Sequence, residues 1–385
     1  MKPVAVLLGE APVRLWGLGG RERLRRVLGK RGIEVLEDGA SVPEKRSVLA
    51  LRTDYLFDER VIDSLIDAPG VALRADGDGP QVALHAPVGA AAAAPAVLLG
   101  ECSADGYVTE TPQTLASAYQ ERLRKREAPY VLPVTPSEQD TLERRLFGTA
   151  YKGVTDFITK WWWPPLARRA TGFCAHRGIT PNQVTLTGLV LTIAAGFAFW
   201  DGWWLPGLLC AWLMTFLDTV DGKLARVTVQ SSRFGDILDH GIDLIHPPFW
   251  YAAWALGLPA GSVPVDPLIW VIVAGYIAGR LAEGTFQAVC ARFSLFVWQP
   301  FDSYNRLITA RRNPNLLMLT LCALLGAPAV GLWLVAGWTV LSTVLLWVRV
   351  GQAIAARRRG PLRSWLEQVG QDIPAHSRAV RWFAR

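Results

Sequence analysis

Asp218-Thr-Val-Asp221-Gly222-Lys-Leu-Ala225-Arg226, then eight residues, then Gly235-Asp-Ile-Leu-Asp239-His-Gly-Ile-Asp243: this stretch sets Asp218, Asp221, Asp239 and Asp243 on segments otherwise apolar enough to be membrane helix. A charged side chain at bilayer depth costs about 2.5–3.5 kcal/mol on insertion scales, so such carboxylates persist only where something binds or pairs with them. Asp218 and Asp221 are three apart and Asp239 and Asp243 four apart, which puts each pair on one helix face. Two helices meeting at those faces would enclose an all-oxygen pocket suited to Mg²⁺ or Mn²⁺.

The rest of the chain fits a membrane setting. Of 385 residues, 51% are hydrophobic and seventeen are tryptophan, and the apolar runs concentrate after Thr180. Six candidate spans, at roughly 183–200, 204–225, 235–256, 267–290, 308–325 and 328–350, are long enough to cross about 30 Å, the fifth being short. The turns at Asp201, Gly261 and Pro328 lack Lys and Arg, whereas the alternate segments carry Arg168, Arg169 and Arg177, then Lys223, Arg226 and Arg233, then Arg306, Arg311 and Arg312, then Arg357, Arg358 and Arg359. The positive-inside rule therefore places both termini and the aspartates on the cytoplasmic side of a multi-pass protein of the cell's inner (plasma) membrane.

The net charge of +7 fits an anionic membrane surface better than nucleic acid, because the arginines flank the apolar runs. The opening apolar run is too short for a span and no A-x-A-like site follows it, so a secretory signal is not expected. Five scattered cysteines form neither a disulfide framework nor a zinc pattern.

Residues 151–180 are too short and too polar to span, yet Trp161, Trp162 and Trp163 stand beside basic residues, as in a juxtamembrane amphipathic segment on the cytoplasmic leaflet. Residues 1–130 read as a soluble α/β domain: strands at Val4–Leu8, Ile33–Leu36 and Ser47–Thr53, a basic helix at Arg21–Gly32 and an apolar-faced helix at Asp58–Ala68. Ala91–Ala94 reads as a loop before a strand at Ala96–Leu99. Residues 131–150 read as a linker and charged helix, and 357–385 as a basic cytoplasmic tail.

Around the aspartates, Gly222 lets a ligand approach the helix backbone, Ala225 keeps the surface low, and Arg226 can pair with a carboxylate or fork onto a phosphate. Two cations clamping a pyrophosphate use four carboxylates better than one. Two other readings compete: a membrane-surface ion network with Lys223, Arg226 and Arg233, and a divalent-cation transporter with the carboxylates as its filter.

The pattern D-x-x-D-G-x-x-A-R-x8-G-x-x-x-D-x-x-x-D, filled by Asp218, Asp221, Gly222, Ala225, Arg226, Gly235, Asp239 and Asp243, resembles the signature of the CDP-alcohol phosphotransferases, integral membrane enzymes of phospholipid synthesis. Thr180-Pro-Asn-Gln-Val-Thr185 is similar to that family's entry into its first helix. The resemblance implies six transmembrane helices and Mg²⁺ or Mn²⁺, with two ions held by Asp218, Asp221, Asp239 and Asp243. It implies that Asp243 also takes the proton of an acceptor hydroxyl attacking the β-phosphorus of a CDP-linked donor, with CMP leaving. Gly222, Ala225, Arg226, Ser232 and Gly235 match positions around the cytidine diphosphate, bordered by Pro181 and Asn182. The donor would be of the CDP-diacylglycerol or CDP-inositol type and the acceptor an alcohol or phosphoalcohol, with Lys152, Arg280 and Arg306 as candidate acceptor contacts.

In the front domain, Leu15-Trp-Gly-Leu-Gly-Gly-Arg-Glu-Arg-Leu24 and Leu51-Arg-Thr-Asp54-Tyr-Leu-Phe-Asp58 are similar to sugar-phosphate nucleotidyltransferases. The whole layout thereby resembles bifunctional enzymes that make CDP-inositol and then transfer inositol phosphate. Trp250, Tyr251, Trp254, Gly275 and Gly279 are candidates for a homodimer face.

Overall fold

A computed structural model describes residues 1–37, 39–42 and 45–384, without the side chains of Arg233, Phe234, Asp236 and Asp239. The chain divides into two compact units: one of residues 1–120, 127–150 and 226–230, the other of 121–126, 151–225 and 231–385.

The front unit is built on strands β1 (Val4–Leu8), β2 (Glu34–Val35), β3 (Val48–Arg52), β4 (Tyr55–Phe57), β5 (Val71–Arg74), β6 (Gln81–Ala86) and β7 (Val108–Glu110). Its helices are α1 (Gly20–Lys30), α2 (Glu59–Ile66), α3 (Ala94–Leu99), α4 (Pro112–Leu115) and α5 (Gln139–Thr149). Two short strands follow β7, β8 (Tyr119–Gln120) and β9 (Lys125–Arg126), and then β10 (Val131–Pro133). Six strands form one mixed sheet in the order β2-β1-β3-β6-β5-β7. β1 and β3 run parallel, Val4 opposite Val48 through Leu8 opposite Arg52, and β6 is antiparallel to both its neighbours. Both strands are nearly continuous apolar runs because both sheet faces are covered: Leu7, Leu24, Leu28, Leu49, Leu51 and Ile62 pack on one side, and Val4, Val48, Ala50, Leu84, Val97 and Leu98 on the other.

Two expectations fail here. Ala96–Leu99 is helix, not strand: Pro95 sits in the first turn, the alanines before it favour helix, and Gly100 closes it at φ 78°. The segment read as a linker contains β10, which pairs antiparallel with β4, Val131 opposite Phe57, and residues 131–150 fold inside this unit. The short apolar run Tyr130-Val131-Leu132 between prolines was the available signal.

The second unit is helical: α6 (Trp163–Arg177), α7 (Pro181–Trp200), α8 (Trp204–Val227), α9 (Arg233–Leu256), α10 (Val265–Thr285), α11 (Pro300–Ile308), α12 (Arg312–Leu324) and α13 (Pro328–Arg357). Among the described residues three helical segments, Pro181–Trp200, Val265–Cys290 and Pro328–Arg357, are long and apolar enough to cross a membrane. α8 and α9 have the length but carry the charged motif, and the thirteen residues of α12 rise only about 20 Å. α7 packs on α9, α9 on α10, and α10 and α12 on α13. Phe199, Trp250, Trp254, Leu268, Ile272, Leu316 and Val335 fill the centre, while Phe197, Leu209, Phe249, Trp270 and Val344 point outward as a lipid-facing helix surface would.

The residues expected at a dimer face are used inside this unit. Trp250 and Trp254 are buried and donate to the carbonyls of Thr192 and Pro328. A Cβ on Gly275 would stand 2.7 Å from Thr339, so that glycine admits α13 rather than a second copy. The segment after Arg357 also departs from a free tail. Trp365, Leu366 and Phe383 are fully buried, Trp365 donates to Ser303, and Tyr304 meets Phe383 edge-on at 5.0 Å.

Candidate functional site

The motif residues converge where the start of α7 meets the lower ends of α8 and α9 in the helical unit. Thr180 caps α7 in a reciprocal box with Gln183, and Pro181 occupies the first turn, where its missing N–H costs nothing. Asn182 then projects toward the start of α9. Its Oδ1 accepts from Ser232 Oγ at 3.1 Å, and Ser232 in turn accepts the Gly235 N–H at 2.9 Å as the N-cap of α9. Gly235 is required by this approach, since a Cβ there would lie 2.4 Å from Asn182 Oδ1.

One turn farther along α7, Thr185 donates to Asp221 Oδ2 at 2.6 Å. Asp221 is 4% exposed, and its Oδ1 is buried with no hydrogen-bond partner. A buried carboxylate oxygen left bare costs about 1–3 kcal/mol or more, so this atom asks for a cation or a donor. Asp218 and Asp243 are brought together by one residue from α12: Arg312 forks its two terminal nitrogens, one onto each carboxylate. Asp221 lies within electrostatic reach of both. Asp239, expected to complete the set, has its carboxylate outside the described residues. Gly222 and Ala225 follow on α8, both partly exposed. Arg226 donates through Nε to the Ala150 carbonyl at 2.9 Å.

Arg312 is the functional side chain that sequence reasoning passed over. It stood in a basic cluster already explained by membrane orientation, and nothing local ties position 312 to position 218. Of the cations proposed as partners for the aspartates, Lys223 stacks over the Tyr151 ring at 4.0 Å, and the Arg233 side chain lies outside the described residues. Asn313, the next residue, donates to buried Asp156 at 3.0 Å, and Thr159 also caps that carboxylate, which anchors the start of α12 to the segment before α6. The placement of Arg312 therefore depends on a chain of contacts, not on its own turn of helix.

The three acceptor candidates are dispersed. Lys152 is exposed and close enough to Asp243 to act on its charge. Arg280 lies 3.8 Å from Glu283, which also binds Arg311, and these residues line a small recess with Tyr276, Ser342 and Thr343. Arg306 is buried, with Nε and one terminal nitrogen lacking any hydrogen-bond partner, and its guanidinium lies 5.4 Å from the Phe296 ring centre. Burial, with Arg311 nearby, holds it well below the usual arginine range.

The donors present fit a hard divalent cation: Asp218, Asp221 and Asp243 are all oxygen ligands, and Asp221 Oδ1 is already stripped of partners. Among the described residues no ready-made group of three metal-ligating side chains is assembled, and Arg312 pairs with two of the carboxylates. His246 contacts the Ile242 carbonyl and packs edge-on to Trp250 at 4.5 Å, in keeping with a packing role.

Outside the spans, the juxtamembrane segment divides its tryptophans. Trp161 and Trp162 are exposed, whereas Trp163 packs on Phe216 at 5.3 Å. Lys160 donates to the Gly153 carbonyl at 2.7 Å, and burial, with Lys125 nearby, pulls its ammonium down to about 8.

Residues 178–350 match the family model described as CDP-alcohol phosphatidyltransferase. The chain is 29% identical to the archaetidylinositol phosphate synthase of Pyrococcus horikoshii over 46% of this chain and 86% of that one. It is 32% identical to the bifunctional IPC transferase and DIPP synthase of Thermococcus kodakarensis, over 34% of this chain but only 33% of that one. Among solved structures, the apo phosphatidylinositol phosphate synthase of Mycobacterium tuberculosis aligns with a TM-score of 0.36 at 21% identity, covering 49% of this chain and 95% of that one.

Proposed function

We propose that residues 178–350, which match the CDP-alcohol phosphatidyltransferase family model, transfer a phosphoalcohol group from a CDP-linked donor to an alcohol acceptor and release CMP, at the cytoplasmic face of a six-span membrane domain. The observation that supports this most directly is the buried Asp221 carboxylate, oriented by Thr185 and left with one bare oxygen beside Asp218 and Asp243.

Asp218, Asp221, Asp239 and Asp243 would hold Mg²⁺ or Mn²⁺, which, when bound, neutralises charge on the pyrophosphate oxygens. Gly222, Ala225 and Arg226 border the cytidine diphosphate from α8, and Pro181, Asn182, Ser232 and Gly235 from the joined ends of α7 and α9. Asp243 accepts the proton of the acceptor hydroxyl, whose oxygen forms a bond to the β-phosphorus as the bond from that phosphorus to the CMP oxygen breaks. Arg312 is well placed to balance the carboxylates before substrates arrive. The N–H groups of Arg306 that lack partners would suit an anionic group on the acceptor, as in a phosphoalcohol.

The test supplies purified protein with radiolabelled CDP-diacylglycerol or CDP-inositol, Mg²⁺ or Mn²⁺, and a panel of polyols and polyol phosphates. Metal-dependent CMP release with one pair identifies donor and acceptor, and none with any pair sinks the transferase reading. Asp243→Asn should lose turnover by about 10²-fold or more while retaining donor binding, as expected for a general base. Retained activity would remove Asp243 from that role. Metal flux into proteoliposomes without CMP release would favour a transporter instead.

A further inference from the structure

The basic helix α1 is not used by the transferase chemistry, and the five residues 226–230 fold with the front unit although they lie inside the motif, between Arg226 and Ser232. These facts belong together. α8 ends at Val227, and the last carbonyls of a helix have no partners within it and carry its negative pole. Arg23 and Arg26, three apart on one face of α1, supply donors to that end: Arg23 reaches the Val227 carbonyl at 2.8 Å and Arg26 the Thr228 carbonyl at 2.9 Å. Arg23 is itself buried and holds the Leu15 carbonyl at 3.0 Å with the same nitrogen, so it is not free to swing away.

Val229 completes the arrangement. Its side chain is 4% exposed and sits in the apolar cluster of the front sheet with Leu7, Leu24, Val27 and Leu51. Its φ is +53°, a conformation that a β-branched residue adopts only where its surroundings impose it. Three separate contacts, two charged caps and one apolar plug, thus fix the segment that joins the two halves of the motif.

We propose that Arg23, Arg26 and Val229 are positioning residues for the transferase site: the front unit clamps the link between α8 and α9, and so sets the register of Asp218 and Asp221 against Asp239 and Asp243. This rests on the transferase reading above. The front unit thereby acts on catalysis whether or not it performs chemistry of its own. The segments similar to nucleotidyltransferases are built into the same framework: the Trp16 N–H and indole both bond to Glu143 of α5, and Asp54 is paired with Arg52 at 2.6 Å.

The test uses the full chain in detergent with Arg26→Gln, the milder change, Val229→Asp, the stronger one, and Val229→Ile, which keeps the apolar plug. Mn²⁺ binding is titrated by the loss of free-ion electron paramagnetic resonance signal, amide exchange is followed over residues 227–232, and CMP release is measured with CDP-diacylglycerol and with CDP-inositol, each with the panel of polyols and polyol phosphates. Arg26→Gln and Val229→Asp should weaken Mn²⁺ about tenfold, the scale on which groups supporting a metal ligand act, speed exchange over 227–232, and lower CMP release per folded molecule. Val229→Ile should stay near the parent in all three. Should Val229→Asp fail to fold, Arg26→Gln decides alone. A parent that binds Mn²⁺ and releases CMP, with variants that match it per folded molecule, overturns the clamp. A parent that does neither refutes the transferase reading instead, and faster exchange in the variants then still establishes the grip on 227–232 but removes its catalytic purpose.

Discussion

Arg312 stands between Asp218 and Asp243 where the sequence placed a metal ion, and the two views are compatible if the guanidinium is the counter-charge of the substrate-free site. The Asp243 carboxylate is 44% exposed but Arg312 and Asp218 are largely shielded, so removing the guanidinium leaves two like charges close together and only partly screened by solvent. Arg312→Gln is therefore expected to lower the melting temperature in chelator, and to enlarge the stabilisation produced by Mn²⁺, because the ion then restores a balance the parent already has. Equal metal-induced shifts in parent and variant would show that Arg312 and the ion do not share the carboxylates. At the same scale, Lys160 gives a pH test. Its folded value of about 8 lies below the unfolded one of about 10.4, so between those pH values the unfolded chain binds more protons and stability rises with pH. The melting-temperature difference between parent and Lys160→Met should move in favour of the parent from pH 7 to pH 10. A constant difference would mean the ammonium is not held in a desolvated state.

The joined ends of α7 and α9 show how a local rule serves a site. Thr180-Pro181 is an ordinary helix start by sequence, and it forms one, but the same turn also delivers Asn182 to Ser232 and Thr185 to Asp221. Gly235→Ala is expected to destabilise by about 1–3 kcal/mol, the usual cost of forcing extra volume into a packed contact, and to impair CMP release by displacing Asn182. The pair Asn182→Ala with Gly235→Ala should recover much of that stability but not the activity. Full additivity of the two changes would show that the Cβ meets something other than Asn182. Helix assignments were legible wherever apolar periodicity ran long, as in α2, α7 and α13. Assignments failed at Ala96–Leu99 and Val131–Pro133, where six residues or fewer leave helix, strand and linker equally consistent with the pattern and the neighbouring chain decides.

Across the whole molecule, the chain returns on itself at points that no local pattern announces. Residues 361–384 carry three arginines and belong to the stretch read as a basic tail, yet they bury Trp365, Leu366, Val380 and Phe383. Removing residues 361–385 should cost roughly 1.5–3 kcal/mol for each fully buried apolar side chain lost, visible as a marked drop in melting temperature of the helical unit. An unchanged melting curve would show that the segment contributes nothing.

The sequence by itself determined the chemistry-bearing positions. Eight residues at fixed spacing specify which faces of two helices carry carboxylate, glycine and arginine, and helical periodicity needs no tertiary information. It also determined that apolar helices follow an α/β front half, because that depends on composition over long windows. Only the tertiary structure decided which cation meets the carboxylates, why Gly235 is a glycine, and that residues 226–230 of the motif fold into a sheet domain encoded two hundred residues earlier. Those are contacts between positions far apart in the chain, set by how packed elements share space and charge, and no local spacing encodes them.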